Sequence, residues 1–127
     1  MDDGILIDFS KRGSGARVRV YFLRCELMKI LNIYGRMVSA GHWGDYAIDH
    51  LQGEAVFSIF RRTREMPLFR IYKTPALAAR QGAWRIVAVD GRTLRRGHDL
   101  DQLLKYFNAK IIKAYDKKPT KMRRKIH

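Results

Sequence analysis

One cysteine, Cys25, stands alone among 127 residues, so no intramolecular disulfide can form. A chain without disulfide staples suits a reducing compartment, and a cytoplasmic location is the expectation. Long apolar runs are missing too. The stretch Ile5–Ile7 is far too short for the apolar part of a secretory signal. Nothing approaches the roughly 20 apolar residues that a membrane-spanning helix requires, so membrane insertion is not expected. Acidic side chains are scarce: 12 Asp and Glu face 26 Lys and Arg, a formal charge of +14. Catalytic signatures are lacking as well. The four histidines have no HxxxH spacing, and one cysteine cannot make a CxxC, which removes the common zinc arrangements. Gly35, Gly41, Gly44 and Gly53 form neither a dinucleotide fingerprint nor a phosphate loop, and no GxSxG occurs. No cofactor is implied, and catalysis has no positive support.

What is present is enough apolar material for a fold. Hydrophobic residues make up 46% of the chain, and the length favours one domain with a modest core. The charge is unevenly spread. Residues 1–16 carry two basic side chains against three acidic ones, 17–109 sixteen against eight, and 110–127 eight against Asp116 alone. With the linker-like Ser10–Gly15 and the Pro119-containing tail, this divides the chain into three. A flexible N-terminal segment spans 1–16, a single domain 17–114 and a basic disordered tail 115–127.

Periodicity supplies the elements. Arg17–Phe22 alternates charged and apolar residues, the pattern of a half-buried strand. Leu27, Ile30, Leu31, Tyr34, Met37 and Val38 then fall on one helical stripe, and Gly41 suits the left-handed position beyond a helix end. This predicts a helix over Arg24–Ala40. The stretch Asp45–Lys73 reads as a three-stranded antiparallel meander, with Gln52-Gly53 as its first turn. Its middle strand, Glu54–Arg62, is apolar on both faces and should be central. Thr74, Pro75 and Gly82 have the types expected at the cap, first turn and end of a short helix. Trp84–Val89 and Arg92–Arg95 flank Asp90-Gly91, a type I′ hairpin pattern. Asp99 should cap a last helix, with Leu100, Leu103, Leu104 and Phe107 as its buried stripe and Ile111-Ile112 as a last short strand beyond it. The fold class is α+β. An antiparallel sheet of five to six strands carries a long N-terminal helix, a short middle helix and a C-terminal helix, packed mainly on one face.

Basic residues interleaved with aromatics are the leading functional feature. Arg61, Arg62, Arg64, Arg70, Tyr72, Lys73, Arg85 and Arg96 on the domain, with Lys117, Lys118, Lys121, Arg123, Arg124 and Lys125 on the tail, form a candidate nucleic-acid-binding set. Guanidinium groups hold phosphates, and rings stack on bases. The simpler reading keeps the strand aromatics in the core and the charges on a solvated face. Two weaker clusters stand beside it. Asp45 and Asp49 share a strand face and, with His98, could serve a hydrolase or nuclease; charged side chains that protect a sheet edge are the simpler and preferred explanation. Arg96-Gly97-His98 before the last helix could meet an anion, although Asp99 already brings a negative charge there. Cys25, near a helix start, could be a reactive thiol, but a lone cysteine is most simply a small buried or inert residue.

Several motifs together carry a resemblance. They include Tyr34-Gly35-Arg36-Met37-Val38, Ala40-Gly41 with Trp43, Asp45–Asp49, Phe60-Arg61-Arg62, Lys73-Thr74-Pro75, Gln81-Gly82 and Arg96-Gly97-His98. The central two-thirds of the chain resembles a small alphaproteobacterial family known only as a domain of unknown function. The resemblance implies a bacterial cytoplasmic protein and brings no activity, ligand or catalytic residue with it. The composition itself favours a non-catalytic nucleic-acid-binding module, RNA slightly ahead of DNA. A protein-interaction adaptor or homodimer is the alternative, and a hydrolase or nuclease the third reading.

Overall fold

The strand Ala55–Phe60 has apolar side chains on both of its faces, so a single layer of packing cannot satisfy it. It is accordingly the most enclosed strand among the described residues. In the computed structural model, which describes residues 18–62 and 66–109, five of its six residues are buried, Ser58 included. Around it are built β1 (Asp45–His50), β2 (Ala55–Phe60 itself), β3 (Phe69–Lys73), β4 (Trp84–Ala88) and β5 (Thr93–Gly97). They form one antiparallel sheet in the order β1-β2-β3-β4-β5, a simple meander. Helix α1 spans Arg24–Ser39, and residues 100–109 form a second helix, α2.

Helix α1 is fixed at both ends. Leu23 has no side-chain acceptor, so only the return half of a capping box exists: its N–H donates to Glu26 Oε1 at 2.7 Å. At the other end Gly41 takes φ +85°. Its N–H reaches the Val38 carbonyl and the His42 N–H reaches that of Met37, each at 2.9 Å. This paired arrangement satisfies carbonyls that the helix end would otherwise leave open. The buried stripe is Ile30, Ile33 and Met37, with Leu27, Leu31 and Tyr34 half-buried at its margins. Ile33 therefore belongs to the core although the expected stripe omitted it, and Val38, expected inside, is exposed.

Both helices lie on one face of the sheet. Phe57 and Phe69 reach up to them, Phe57 meeting Tyr34 of α1 at 6.1 Å and Phe69 meeting Phe107 of α2 at 5.2 Å between ring centres. Trp43, in the connection after α1, sits edge-on to Phe107 at 5.0 Å and closes the corner between them. Asp99 caps α2 by accepting the Asp101 N–H at 2.9 Å, and Leu100, Leu103, Leu104 and Phe107 are its buried side. Each such fully buried side chain contributes about 1.5–3 kcal/mol of transfer free energy.

Three expectations need correction. The alternation over Arg17–Phe22 does not make a strand within the described residues: a single bridge, Arg19 with Gln52, is all that pairs there. The reason is that Phe22 turns into the core while the chain is already bending towards α1. The middle helix reduces to a three-residue 3₁₀ turn, Pro75–Leu77, because the Thr74 hydroxyl is used elsewhere and caps nothing. The last hairpin turns one residue early. The Gly91 N–H bonds the Ala88 carbonyl, which puts Val89-Asp90 at the centre and Gly91 after it at φ +92°. Residues 1–17, 63–65 and 110–127 lie outside the described part, and with them the expected N-terminal segment, the Ile111-Ile112 strand and the tail.

Gly82 locks the sheet's closing corner. It has φ +96°, and a Cβ there would stand 2.2 Å from the Gly97 carbonyl oxygen. Gly82→Ala should therefore cost about 2–4 kcal/mol or prevent folding. Gly35, in an exposed helix interior with nothing within 4 Å, is the opposite case. Gly35→Ala should gain about 0.5–1 kcal/mol. Urea midpoints at constant slope measure both, and a neutral Gly82→Ala would contradict the close approach.

Candidate functional site

Strand alternation sends half of each strand's side chains away from the helices. The register aligns Asp49, Val56, Tyr72, Arg85 and Arg96 in one row across all five strands, and Ala47, Ser58, Arg70, Val87 and Thr93 in the next. Among the described residues no helix or strand covers this side. It is the open face, and it gathers four of the sequence-selected residues: Arg70, Tyr72, Arg85 and Arg96. Between β1 and β3 the face sinks into a groove of about 480 Å³. Val56 and Ser58 are its floor, Arg70 and Tyr72 stand on one side and Asp49 on the other.

These cations differ in how far they are committed. Arg85 is tied down: Nη1 donates to Thr74 Oγ1 at 3.0 Å, Nη2 lies 3.6 Å from Glu54 Oε1, and the guanidinium sits 4.0 Å from the Tyr72 ring centre. Thr74 completes the link by donating to Glu54 Oε1 at 3.2 Å. Tyr72 thus already stacks on a cation. Arg70 and Arg96 make no ion pair among the described residues, which leaves them as the available positive groups of the face.

The other selected residues go elsewhere. Lys73 belongs to the helix face, in the row His50, Ala55, Lys73, Trp84. Its ammonium bonds Glu26 Oε1 at 2.7 Å and the Tyr21 carbonyl at 2.8 Å, with 14% of the side chain exposed. Arg61 lies on the helix side as well, lining a cavity beside Trp43. Arg62 is exposed just past β2. Arg64 and the tail residues Lys117, Lys118, Lys121, Arg123, Arg124 and Lys125 fall outside the described residues. The alternation could have separated Lys73 from Arg70 and Tyr72, since 69, 71 and 73 share parity. Glu54, whose carboxylate neutralises Arg85, had no signal of its own.

The acidic pair does not assemble a catalytic centre with His98. Asp45 and Asp49 are exposed on the edge strand β1, whereas His98 follows β5 at the far edge. Four strand spacings, about 19 Å, separate the two edges. Among the described residues no group of three or more His, Cys, Asp or Glu is placed to hold a metal ion. Arg96-Gly97-His98 precedes a helix start that Asp99 already caps. Cys25 is exposed on the first turn of α1. No helix among the described residues is long and apolar enough to cross a membrane.

The class is thus a small α+β protein whose five-stranded meander is roofed by helices on one face and lined with guanidinium groups on the other. Residues 20–104 match the family model described as "Protein of unknown function (DUF2794)", and the chain belongs to that family. No curated protein and no solved structure matches it.

Two measurements probe the charges placed here. Lys73→Met leaves the largely buried Glu26 carboxylate without its cation and should cost about 2–4 kcal/mol in urea unfolding; E26M/K73M together should recover much of that loss. Tyr34 donates to the Gly44 carbonyl at 3.1 Å, and burial, then the Asp45 carboxylate, raises its phenol above the usual range. A raised folded-state value favours the neutral phenol. Its stabilisation is complete below the unfolded value near 10 and is lost as pH rises through the folded one. Tyr34→Phe should flatten that alkaline loss in pH-dependent unfolding.

Proposed function

We propose that the open face of the sheet binds single-stranded nucleic acid without catalysis, RNA ahead of DNA. The observation that carries this is the juxtaposition of Arg70, Arg85 and Arg96 with Tyr72 on one face that no helix or strand covers among the described residues, in a chain with net charge +14. A sheet surface can receive a splayed strand, whose phosphates meet guanidinium groups and whose bases stack on planar ones. Because Arg85 occupies one side of Tyr72, the stacking partners are the guanidinium planes of Arg70 and Arg96 as much as the ring. Asp45 and Asp49 make β1 repulsive to phosphate, so the footprint runs over β3, β4 and β5. The basic residues beyond 109 add sequence-independent attraction to the same partner. A cytoplasmic setting in a bacterial cell completes the reading.

Fluorescence anisotropy with a single-stranded RNA, its DNA counterpart and a duplex, each across a salt series, tests it. R70A/R96A in the full chain should weaken RNA binding about tenfold. It should also reduce the log–log salt slope by about 1.4, two phosphate contacts at about 0.7 each. Absence of binding at low salt defeats the proposal. So does unchanged binding by the double variant, which would assign all affinity to the tail.

A further inference from the structure

The helix side of the sheet holds a second feature that the nucleic-acid reading does not use. Between the end of α1, β3 and α2 lies a cavity of about 330 Å³. Its walls are Trp43, Leu68, Phe69 and Phe107, an aromatic and aliphatic lining. Two polar residues share it. One is His42, whose Nε2 is buried with no hydrogen-bond partner among the described residues. A buried ring nitrogen left unpaired costs about 1–3 kcal/mol, so a group that bonds it is favoured. The other is Arg61, exposed and without an ion pair among the described residues. Apolar walls with a few convergent polar groups, in a space above about 300 Å³, are what small-molecule sites have in common.

The lining defines the ligand's chemistry. Nothing in the walls would recognise a polar body, whereas the two polar groups suit a single anionic head. We infer that this cavity binds a small carboxylate with an apolar body, of medium acyl-chain or single-ring size. The body lies against Trp43, Phe69 and Phe107. The carboxylate accepts from Arg61, which supplies charge, and from His42 Nε2 when that nitrogen carries the proton. Formation of the site depends on local backbone rather than on the open face. The paired bonds of Gly41 and His42 to the end of α1 hold the imidazole in place. Gly44 brings the chain so close to Arg61 that a Cβ there would stand 2.2 Å from its carbonyl oxygen.

Octanoate is the probe and octanol its uncharged control. The protein has two tryptophans, and they separate the site from the rest of the fold. Trp43 lines the cavity, while Trp84 stacks on Phe22 at 6.2 Å. In ¹H–¹⁵N spectra of the full chain, octanoate should shift the Trp43 indole signal saturably at submillimolar concentration and leave that of Trp84 in place. R61A should weaken octanoate about tenfold without altering octanol. Leu68→Trp, which fills the space, should abolish both responses. R70A/R96A should bind octanoate as the parent does, so this result stands apart from the nucleic-acid test. If the Trp43 signal does not move up to millimolar octanoate, or if both indoles move together, the inference is overturned. It is overturned equally if octanol matches octanoate irrespective of Arg61.

Discussion

The contact on which the fold turns is the ion pair between Glu26 and Lys73. Lys73 ends β3 on the helix face, and its ammonium is shared between the Glu26 carboxylate and the Tyr21 carbonyl. The same carboxylate oxygen accepts the Leu23 N–H that begins α1. One charge therefore fixes where the helix starts, how the preceding chain approaches it and which strand the helix overlies. With the pair's side chains 14% and 17% exposed, the carboxylate and ammonium are costly to bury alone and tolerable only together. Trp84, on the next strand, has this ammonium 6.0 Å from its ring centre, which extends the constraint to β4.

From that constraint the two sides of the sheet take different characters. On the helix side, charges are paired internally or held at the margin of an aromatic core. On the open side, the cations of β3, β4 and β5 lie opposite the carboxylates of β1. The Lys29–Asp101 bond at 3.0 Å joins the two helices at their outer surface and holds the Lys29 ammonium above its ordinary range. Being exposed, it adds little to stability compared with the interior pair. The buried charges Glu26 and Lys73 neutralise one another, whereas the open face keeps Arg70 and Arg96 without an ion pair among the described residues.

Much of this organisation was readable from residue patterns. The stripe of Leu100, Leu103, Leu104 and Phe107 located the buried side of α2, and the two-sided apolar character of Ala55–Phe60 marked the central strand. Where patterns misled, a tertiary partner had intervened. Thr74 looks like a cap until Glu54 and Arg85 claim its hydroxyl. Arg17–Phe22 alternates like a strand, but the neighbour it would need offers only Gln52. The candidate site was legible as a set of residue types and not as a surface. Arg70, Tyr72, Arg85 and Arg96 could be assigned to one face only once the register between strands was known. Arg61 and Lys73, adjacent to that set in sequence, belong to the other side. His42 and Trp43 belong to no ligand-binding motif and become a candidate site only through the corner that α1, β3 and α2 enclose.

The meander has a consequence for how the chain reaches this state. Every strand pairs with its neighbour in sequence, across connections of four, eight, ten and four residues. The entropy of closing such loops rises only slowly with length, and none of them is long. The sheet can grow hairpin by hairpin, each addition supplying the template for the next. What must come from farther along the chain is the roof: α1 precedes the sheet and α2 follows it, and both settle on the same face. The strand pairings are therefore all between sequence neighbours, whereas the core closes through contacts between α1 and α2, which lie at opposite ends of the described residues.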